Sequence, residues 1–366
     1  MLKIKKKESQ NLNNSIDETT RRLPVYLVLD CSESMVGEGI EAVQNGVESL
    51  VKELNQEPQA LETAWLSIIT FSNSAEQIVP LIEIDKVQTP SKLKIRPGTK
   101  LGEAFHLLQE CIKKEVRPHT ETHKGDWRPL IFLLTDGEPT DAWEIPLQKF
   151  KQSYSGIIDN IIAIGCGPDV DIEVLNQITA DEKRVLLLKD YSSANFKELF
   201  KWITSSIATA SQGINEKKDK LDLAYFPKNL LIEASRKDHR ILRISSLQKQ
   251  LFLAVLCSKT IKPYLIRYKL DINETAYIPI KTHMVDPDYM INSTSEETRS
   301  SVPNRMIKDF LPCPYCENDC LGQCPYCNTI FCYSGQEKSM ICPNPNCNKG
   351  FEFSDKEGIR WEFEKP

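Results

Sequence analysis

Asp30, Ser32 and Ser34 stand at alternate positions of the segment Asp30-Cys31-Ser32-Glu33-Ser34, directly after the apolar run that starts at Leu23. One carboxylate and two hydroxyls form an oxygen-only, hard donor set, which suits a small divalent cation such as Mg²⁺ better than zinc. Further oxygens must come from elsewhere in the chain. Thr99, in Arg96-Pro97-Gly98-Thr99, opens a helical stretch, and Asp136, in Leu134-Thr135-Asp136-Gly137, ends a second apolar run. Alone, the triplet reads equally well as a turn and helix cap, since Asp and Ser favour such positions; Thr99 and Asp136 at the ends of separate elements favour the cation. Catalytic signatures are missing: there is no Gly-x-Ser-x-Gly elbow and no Gly-x-x-x-x-Gly-Lys phosphate loop. His119 and His123 fall between Pro118 and Gly125, a loop setting that reads as solvated surface.

A second chemistry lies near the carboxyl end. Of twelve cysteines, eight are Cys313, Cys316, Cys320, Cys324, Cys327, Cys332, Cys342 and Cys347. Two Cys-Pro-Tyr-Cys segments, at Cys313 to Cys316 and Cys324 to Cys327, have the spacing with which two thiolates grip one tetrahedral ion. Eight thiolates predict two four-cysteine Zn²⁺ sites, with adjacent and interleaved pairings both open. A disulfide framework is disfavoured in a reducing compartment, and the spacings match no common ferredoxin run. Residues 303–366 hold seven Lys or Arg against nine Asp or Glu, a net charge of -2 that opposes nucleic acid. Phe351, Phe353, Trp361 and Phe363 alternate as in a strand, and are expected to pack under the zinc sites.

The elements that must position these groups follow a doubly wound α/β plan. Apolar runs at Leu23 to Asp30, Ala64 to Ser72, Leu130 to Thr135, Ile157 to Gly165 and Val185 to Leu188 predict strands. Gln77 to Ile84, interrupted by Pro80, predicts an edge strand. Between them, Ile40 to Leu54, Leu101 to Ile112 and Phe196 to Ala208 space apolar residues by three or four, as helices packed on a sheet require. Beyond them, Arg240 to Ser245, Gln250 to Cys257, Pro263 to Leu270 and Thr275 to Lys281 predict short strands. The expected organisation is an extension at 1–20, an α/β domain at 21–211, a polar linker at 212–222, a β-rich segment at 223–302 and a cysteine-rich zinc-binding domain at 303–366.

The 366 residues exceed one usual hydrophobic core, and 40% hydrophobic with 27% charged residues describes an ordinary globular chain. A net charge of -5 draws it to neither nucleic acid nor anionic membrane. No apolar run reaches the roughly 18 residues of a membrane span, and the lysine-rich start has no secretory apolar stretch, so the expected location is cytoplasmic.

In element order and in the set Asp30, Ser32, Ser34, Thr99 and Asp136, the sequence resembles the von Willebrand factor A family, whose metal-ion-dependent adhesion site has this composition. The resemblance implies that Ser32, Ser34 and Thr99 bind Mg²⁺ (or Mn²⁺ or Ca²⁺) through hydroxyl oxygens, while Asp30 and Asp136 hold its waters or ligate it. A last coordination position would be open to a partner's acidic residue. Together with Arg21-Arg22-Leu23-Pro24-Val25-Tyr26, Gly125-Asp126-Trp127-Arg128-Pro129, Thr135-Asp136-Gly137-Glu138-Pro139-Thr140-Asp141 and the Cys-Pro-Tyr-Cys tail, the chain is similar to TerY-type proteins of bacterial tellurium-resistance and stress gene clusters. That likeness implies a C-terminal metal-binding domain and a non-enzymatic adaptor whose partners include a serine/threonine kinase and a PP2C-type phosphatase. Pro97 departs from the Gly-Gly-Thr loop of that family and stiffens the approach to Thr99. Two rival readings are a RING-like ligase, which the missing Cys-x-His-x-x-Cys centre disfavours, and a nucleic-acid-binding zinc protein, which the acidic balance disfavours.

Overall fold

The computed structural model describes residues 21–90, 92–121, 125–167, 170–179, 181–188, 192–213, 223–225, 231–233, 250–271, 276–292, 299–303, 306–353 and 360–364. The extension at 1–20, the strand expected at Arg240 to Ser245, and His123 lie outside these residues.

The first sheet has the order β3-β2-β1-β4-β5-β6-β7. Its strands are β1 (Leu23–Asp30), β2 (Ala64–Phe71), β3 (Ala75–Glu83), β4 (Leu130–Thr135), β5 (Ile161–Cys166), β6 (Val185–Leu188) and β7 (Leu231–Glu233). Strands β2, β1, β4, β5 and β6 run parallel, and antiparallel β3 and β7 close the two edges. Pro80 sits exposed on β3, where a missing backbone donor disrupts no central ladder. Every residue of β1 is buried because both faces of the sheet are covered. Leu23, Val25, Leu27 and Leu29 face one core, with α1 (Glu38–Leu54) and α6 (Ser193–Gly213). Tyr26 and Val28 face the other, with α3 (Leu101–Glu115), α4 (Glu144–Ser153) and α5 (Ile172–Ile178). Short α2 (Pro58–Thr63) starts on proline, whose missing donor costs nothing in a first turn. Helices α1 and α6 touch at Gly46, where an added Cβ would come within 2.1 Å of the Phe200 ring.

Two expectations at the carboxyl end of this domain change. Helix α6 runs to Gly213, past the expected boundary at 211, and β7 brings residues of the expected β-rich segment back to pair with β6. An edge strand that short carries too little apolar pattern to be assigned in sequence. Strand β5 starts at Ile161 rather than Ile157, because Ile158–Asn160 forms a 3-10 turn.

The second sheet has the order β10-β9-β8-β13-β12, with β8 (Gln250–Cys257), β9 (Pro263–Leu270), β10 (Tyr277–Met284), β12 (Cys320–Gln323) and β13 (Ile330–Tyr333). Antiparallel β11 (Arg299–Pro303) and β16 (Arg360–Glu364) join it through β8. Strands β14 (Ser339–Ile341) and β15 (Gly350–Glu352) form a separate hairpin. The expected division at 302/303 therefore crosses a continuous sheet: β8 of the β-rich segment pairs with β13 of the cysteine-rich part. Helix α7 (Tyr289–Asn292) follows β10, and Phe252, Leu265, Val285 and Tyr289 enter the same apolar cluster as α1 and α6. The two units thus share buried surface. No helix among the described residues is long and apolar enough to cross a membrane.

Candidate metal centres

Strand order in the first sheet reverses between β1 and β4, since the chain first builds outward through β2 and β3 and then returns to β4. Loops leaving the carboxyl ends of β1 and β4 diverge to opposite faces there, which opens a crevice where open α/β sheets bind ligands. Asp30 ends β1, and Asp136 follows Thr135 at the end of β4. The two loops meet: the Ser34 hydroxyl donates to Asp136 Oδ1 at 2.6 Å, and the Ser32 and Ser34 hydroxyls lie 2.9 Å apart. Asp30 accepts the Ser32 N–H at 2.9 Å and the Thr135 hydroxyl at 2.5 Å. Thr99 comes from a third loop, fixed by Thr99 N–H donating to the Thr140 hydroxyl and Thr140 N–H donating to the Thr99 carbonyl, both at 3.0 Å. Gly98 has φ 80°, a value that a side chain resists, so the glycine lets Thr99 turn inward after rigid Pro97.

All five side chains are buried, and the Thr99 hydroxyl has no hydrogen-bond partner. Burial pushes the Asp30 carboxyl up to about 6, against the pull of hydrogen bonds from Thr135 and Ser32. Two buried carboxylates, two serine hydroxyls and the orphaned Thr99 hydroxyl fit a hard divalent ion, which would offset the cost of burying the charge. Hydrogen bonds join the Asp30-Ser32-Ser34 segment directly to Asp136, and the Gly98–Glu33 and Thr99–Thr140 hydrogen bonds bring the Thr99 loop beside them. Sequence reasoning missed the supports: Thr135 orients Asp30, Thr140 orients Thr99, Asp141 accepts the N–H groups of Gly102 and Glu103 at the start of α3, and buried Glu33 accepts Gly98 N–H at 2.9 Å. Thr135, Thr140 and Asp141 belong to a segment conspicuous in sequence, and their reach toward other loops was its unread signal.

The Arg-Arg and Gly125-Asp126-Trp127 segments serve the other end of the sheet. Arg22 forms a two-pronged ion pair with Asp126, with Nε to Oδ1 at 2.7 Å, and Asp126 also accepts Arg117 N–H at 2.7 Å. The Arg21 and Arg22 guanidiniums lie over Trp127 and Trp65 at 4.1 and 4.3 Å from the ring centres. Arg21 and Arg22 precede β1, and Asp126 and Trp127 precede β4, at the opposite end of these strands from Asp30 and Asp136.

Among the described residues, the cysteines form two clusters that could hold metal ions: Cys257, Cys313, Cys316 and Cys332, and Cys324, Cys327, Cys342 and Cys347. Within each, the sulfurs lie within 4.8 Å of one another, with Cys316 to Cys332 at 3.5 Å, Cys327 to Cys342 at 3.6 Å and Cys324 to Cys347 at 3.8 Å. Four thiolates at Zn–S distances of about 2.3 Å around a tetrahedral ion stand about 3.8 Å apart. Seven of the eight expected cysteines are thus placed together. The correction concerns Cys320: it lies outside both clusters, and Cys257 on β8 takes the fourth place in the first.

Local backbone explains that exchange. In the segments starting at Cys313 and Cys324, the cysteine N–H donates to the carbonyl five residues on, its carbonyl accepts the N–H four residues on, and that fourth residue has positive φ (Glu317 63°, Asn328 60°). Cys257 repeats all three features: its N–H donates to Lys262 O, its carbonyl accepts Ile261 N–H, and Ile261 has φ 59°. A β-branched residue in that region is strained, so the surrounding structure must impose the turn. Thr260 stands where the other two turns carry their second cysteine, and its N–H points at the Cys257 sulfur at 3.4 Å. Burial raises the Cys257 thiol and hydrogen bonds from Thr260 and the Lys259 backbone pull it down to about 7, whereas burial pushes the neighbouring Cys313 and Cys316 thiols up. Register places Cys257 opposite Cys332, so the cluster sits across the β8–β13 seam. Phe351 and Phe353 pack with Phe331 and Tyr333 beside the second cluster, the Tyr333 and Phe353 rings stacking at 4.5 Å, as expected of these two aromatics.

Comparison with known proteins follows the same division. Residues 25–202 match the von Willebrand factor type A domain. An uncharacterized protein of Synechocystis sp. is 28% identical over 194 residues, half of this chain; the match spans 43% of that relative's length. Among solved structures, proximal thread matrix protein 1 from the mussel byssus is 16% identical, with 52% of this chain and 48% of that one covered and a TM-score of 0.38. A second crystal structure of that protein, 17% identical over 52% of this chain and 49% of that one with a TM-score of 0.37, has a zinc-occupied MIDAS motif. A von Willebrand factor type A protein from Catenulispora acidiphila is 15% identical, with 52% and 43% covered and a TM-score of 0.37. The amino-terminal half of the chain, from Val25 to Trp202, is a von Willebrand factor type A domain.

Proposed function

We propose that the protein is a non-enzymatic, metal-dependent adaptor for protein–protein contacts. The observation that carries this reading is the buried, unpartnered Thr99 hydroxyl on a loop that hydrogen bonds tie to Glu33 of the triplet and to Thr140, beside the hydrogen-bonded Asp30, Ser32, Ser34 and Asp136 side chains. In this reading Ser32, Ser34 and Thr99 offer hydroxyl oxygens to Mg²⁺, and Asp30 and Asp136 supply the balancing charge. The bound ion supplies a positive, hard Lewis-acidic seat, and the partner supplies an acidic side chain. Thr135 and Thr140 keep the donors aimed, so little ordering cost remains when partner and ion arrive. The two cysteine clusters each bind one Zn²⁺ and serve as structural closures, since each is a complete four-thiolate set with no open position.

The similarity to TerY-type sequences supports a finer reading, in which the partners are a serine/threonine kinase and a PP2C-type phosphatase of a bacterial stress module, in the cytoplasm. Affinity capture by the full chain in Mg²⁺, in EDTA, and with Asp30→Ala tests both levels. A partner released by EDTA and by Asp30→Ala supports the adaptor reading; partners indifferent to both treatments overturn it. Capture of neither a kinase nor a phosphatase removes only the finer reading.

A further inference from the structure

We propose that the C-terminal unit is a latch on the A-domain cation site, working through the chain Tyr289–Glu33–Gly98 and the ion pair Asp288–Arg96. The inference rests on the reading of the Asp30 site as a cation site. Glu33 stands between the two serines of the triplet and is fully buried, yet its carboxylate reaches two distant segments. One oxygen accepts the Gly98 N–H at 2.9 Å, in the loop that delivers Thr99. The other accepts the hydroxyl of fully buried Tyr289, at 2.9 Å, from α7 of the C-terminal unit, 256 residues along the chain.

Two more contacts flank that one. Along the extended approach to Gly98, Leu93 and Ile95 enter the core while Lys92, Lys94 and Arg96 face the turn before α7. Arg96 pairs with Asp288 at 2.6 Å, Lys94 with Asp288 at 3.7 Å, and Lys92 with Asp286 at 3.4 Å. Arg96 N–H donates to the Cys31 carbonyl at 3.0 Å, so the residue held by Asp288 is itself stitched to the triplet. On the other side, Gly37 lies against the His283 ring of β10, so close that a Cβ there would stand 2.9 Å from it. The C-terminal unit therefore grips the triplet, the Thr99 approach and the start of α1 together. An ion that needs Ser32, Ser34 and Thr99 in one geometry is bound more tightly when these segments are held, and by linkage its binding tightens the latch by the same factor.

The test uses the zinc-replete full chain and Mn²⁺ as probe. Calorimetric titration of the wild type, Tyr289→Phe, Asp288→Asn and the double variant is compared with Asp30→Ala. Tyr289→Phe keeps the ring that fills the core, and Asp288→Asn changes a half-exposed side chain, so folding is retained. The expected result is roughly tenfold weaker Mn²⁺ binding in the double variant, in the middle of the usual range for coupled sites. The reciprocal readout is hydrogen exchange at Tyr289 and Met290: Mn²⁺ slows it in the wild type and slows it less in the double variant. A wild type that binds while the double variant binds equally tightly overturns the latch alone. Identical titrations of wild type and Asp30→Ala overturn the cation site and the latch with it.

Discussion

Replacing Cys257 with serine separates a ligand chosen by the fold from one suggested by spacing. Cys257 lies 56 residues before the first Cys-Pro-Tyr-Cys segment, yet its sulfur shares a cluster with Cys313, Cys316 and Cys332. Structural zinc in small thiolate sites is worth on the order of 10–16 kcal/mol. If the four thiolates contribute alike, losing one costs about 3 kcal/mol, or about two orders of magnitude in affinity. The loss also reaches the sheet, because Cys257 and Cys332 are opposite one another where β8 and β13 pair. In Cys257→Ser, zinc content measured by plasma emission after exposure to a moderate chelator should fall from two ions per chain to one, and the C-terminal unit should melt earlier. Cys320→Ser is the matched control inside the cysteine-rich tail, and should keep two ions and its melting temperature. Two tightly held ions in Cys257→Ser, or the loss of one in Cys320→Ser, would refute the assignment.

Other perturbations probe the frame around the sites. Gly46→Ala drives a methyl into the Phe200 ring where α1 and α6 cross, so about 1–3 kcal/mol of A-domain stability should be lost in urea unfolding. Asp126→Ala strands the buried Arg22 guanidinium and removes the acceptor of Arg117 N–H; a loss of about 3–5 kcal/mol is expected, with Mn²⁺ affinity in the surviving folded fraction unchanged. His283 is held neutral in the folded chain, its pKa lowered to about 4 by burial first and by the charges of Lys281 and Arg267. A histidine with a depressed folded pKa is protonated more readily in the unfolded chain, so stability is lost as pH falls from about 6.5 toward 4. His283→Gln should flatten that acid limb in thermal melts; an unchanged limb would exclude His283 as its source.

The elements of the A domain were legible because a buried parallel sheet writes itself as continuous apolar runs. Strands β1, β4 and β6 have the bounds their runs predict, and α1 and α3 cover the stripes that mark them. The candidate cation residues stood out too, since they lie at or just beyond the ends of β1 and β4 and just before α3. Their supports did not: Thr135 and Thr140 act across loops that only the fold brings together, and no local pattern encodes partners 105 and 41 residues away. The cysteines show the same limit. Spacing found the paired knuckles, but it treated Cys320 and Cys257 by their distance from other cysteines, whereas membership depends on a turn geometry that Cys257 shares and on the pairing of β8 with β13.

That pairing gives the two kinds of candidate metal centre a common mechanical path. Cys257 closes β8, β8 pairs with β9, β9 pairs with β10, and β10 leads into α7, whose Tyr289 meets Glu33. Apart from the short turn that carries β10 into α7, each link is a backbone ladder or a buried hydrogen bond, so the soft site and the hard site are joined mainly by elements that shift as units. Loss of the ion at Cys257 should therefore be felt at Glu33, and loss of the ion at Cys324, whose cluster involves β14, β15 and the second knuckle, should be felt there less. Hydrogen exchange at Gly98, compared between Cys257→Ser and Cys342→Ser, measures that difference; equal exchange in the two variants would break the path at β8.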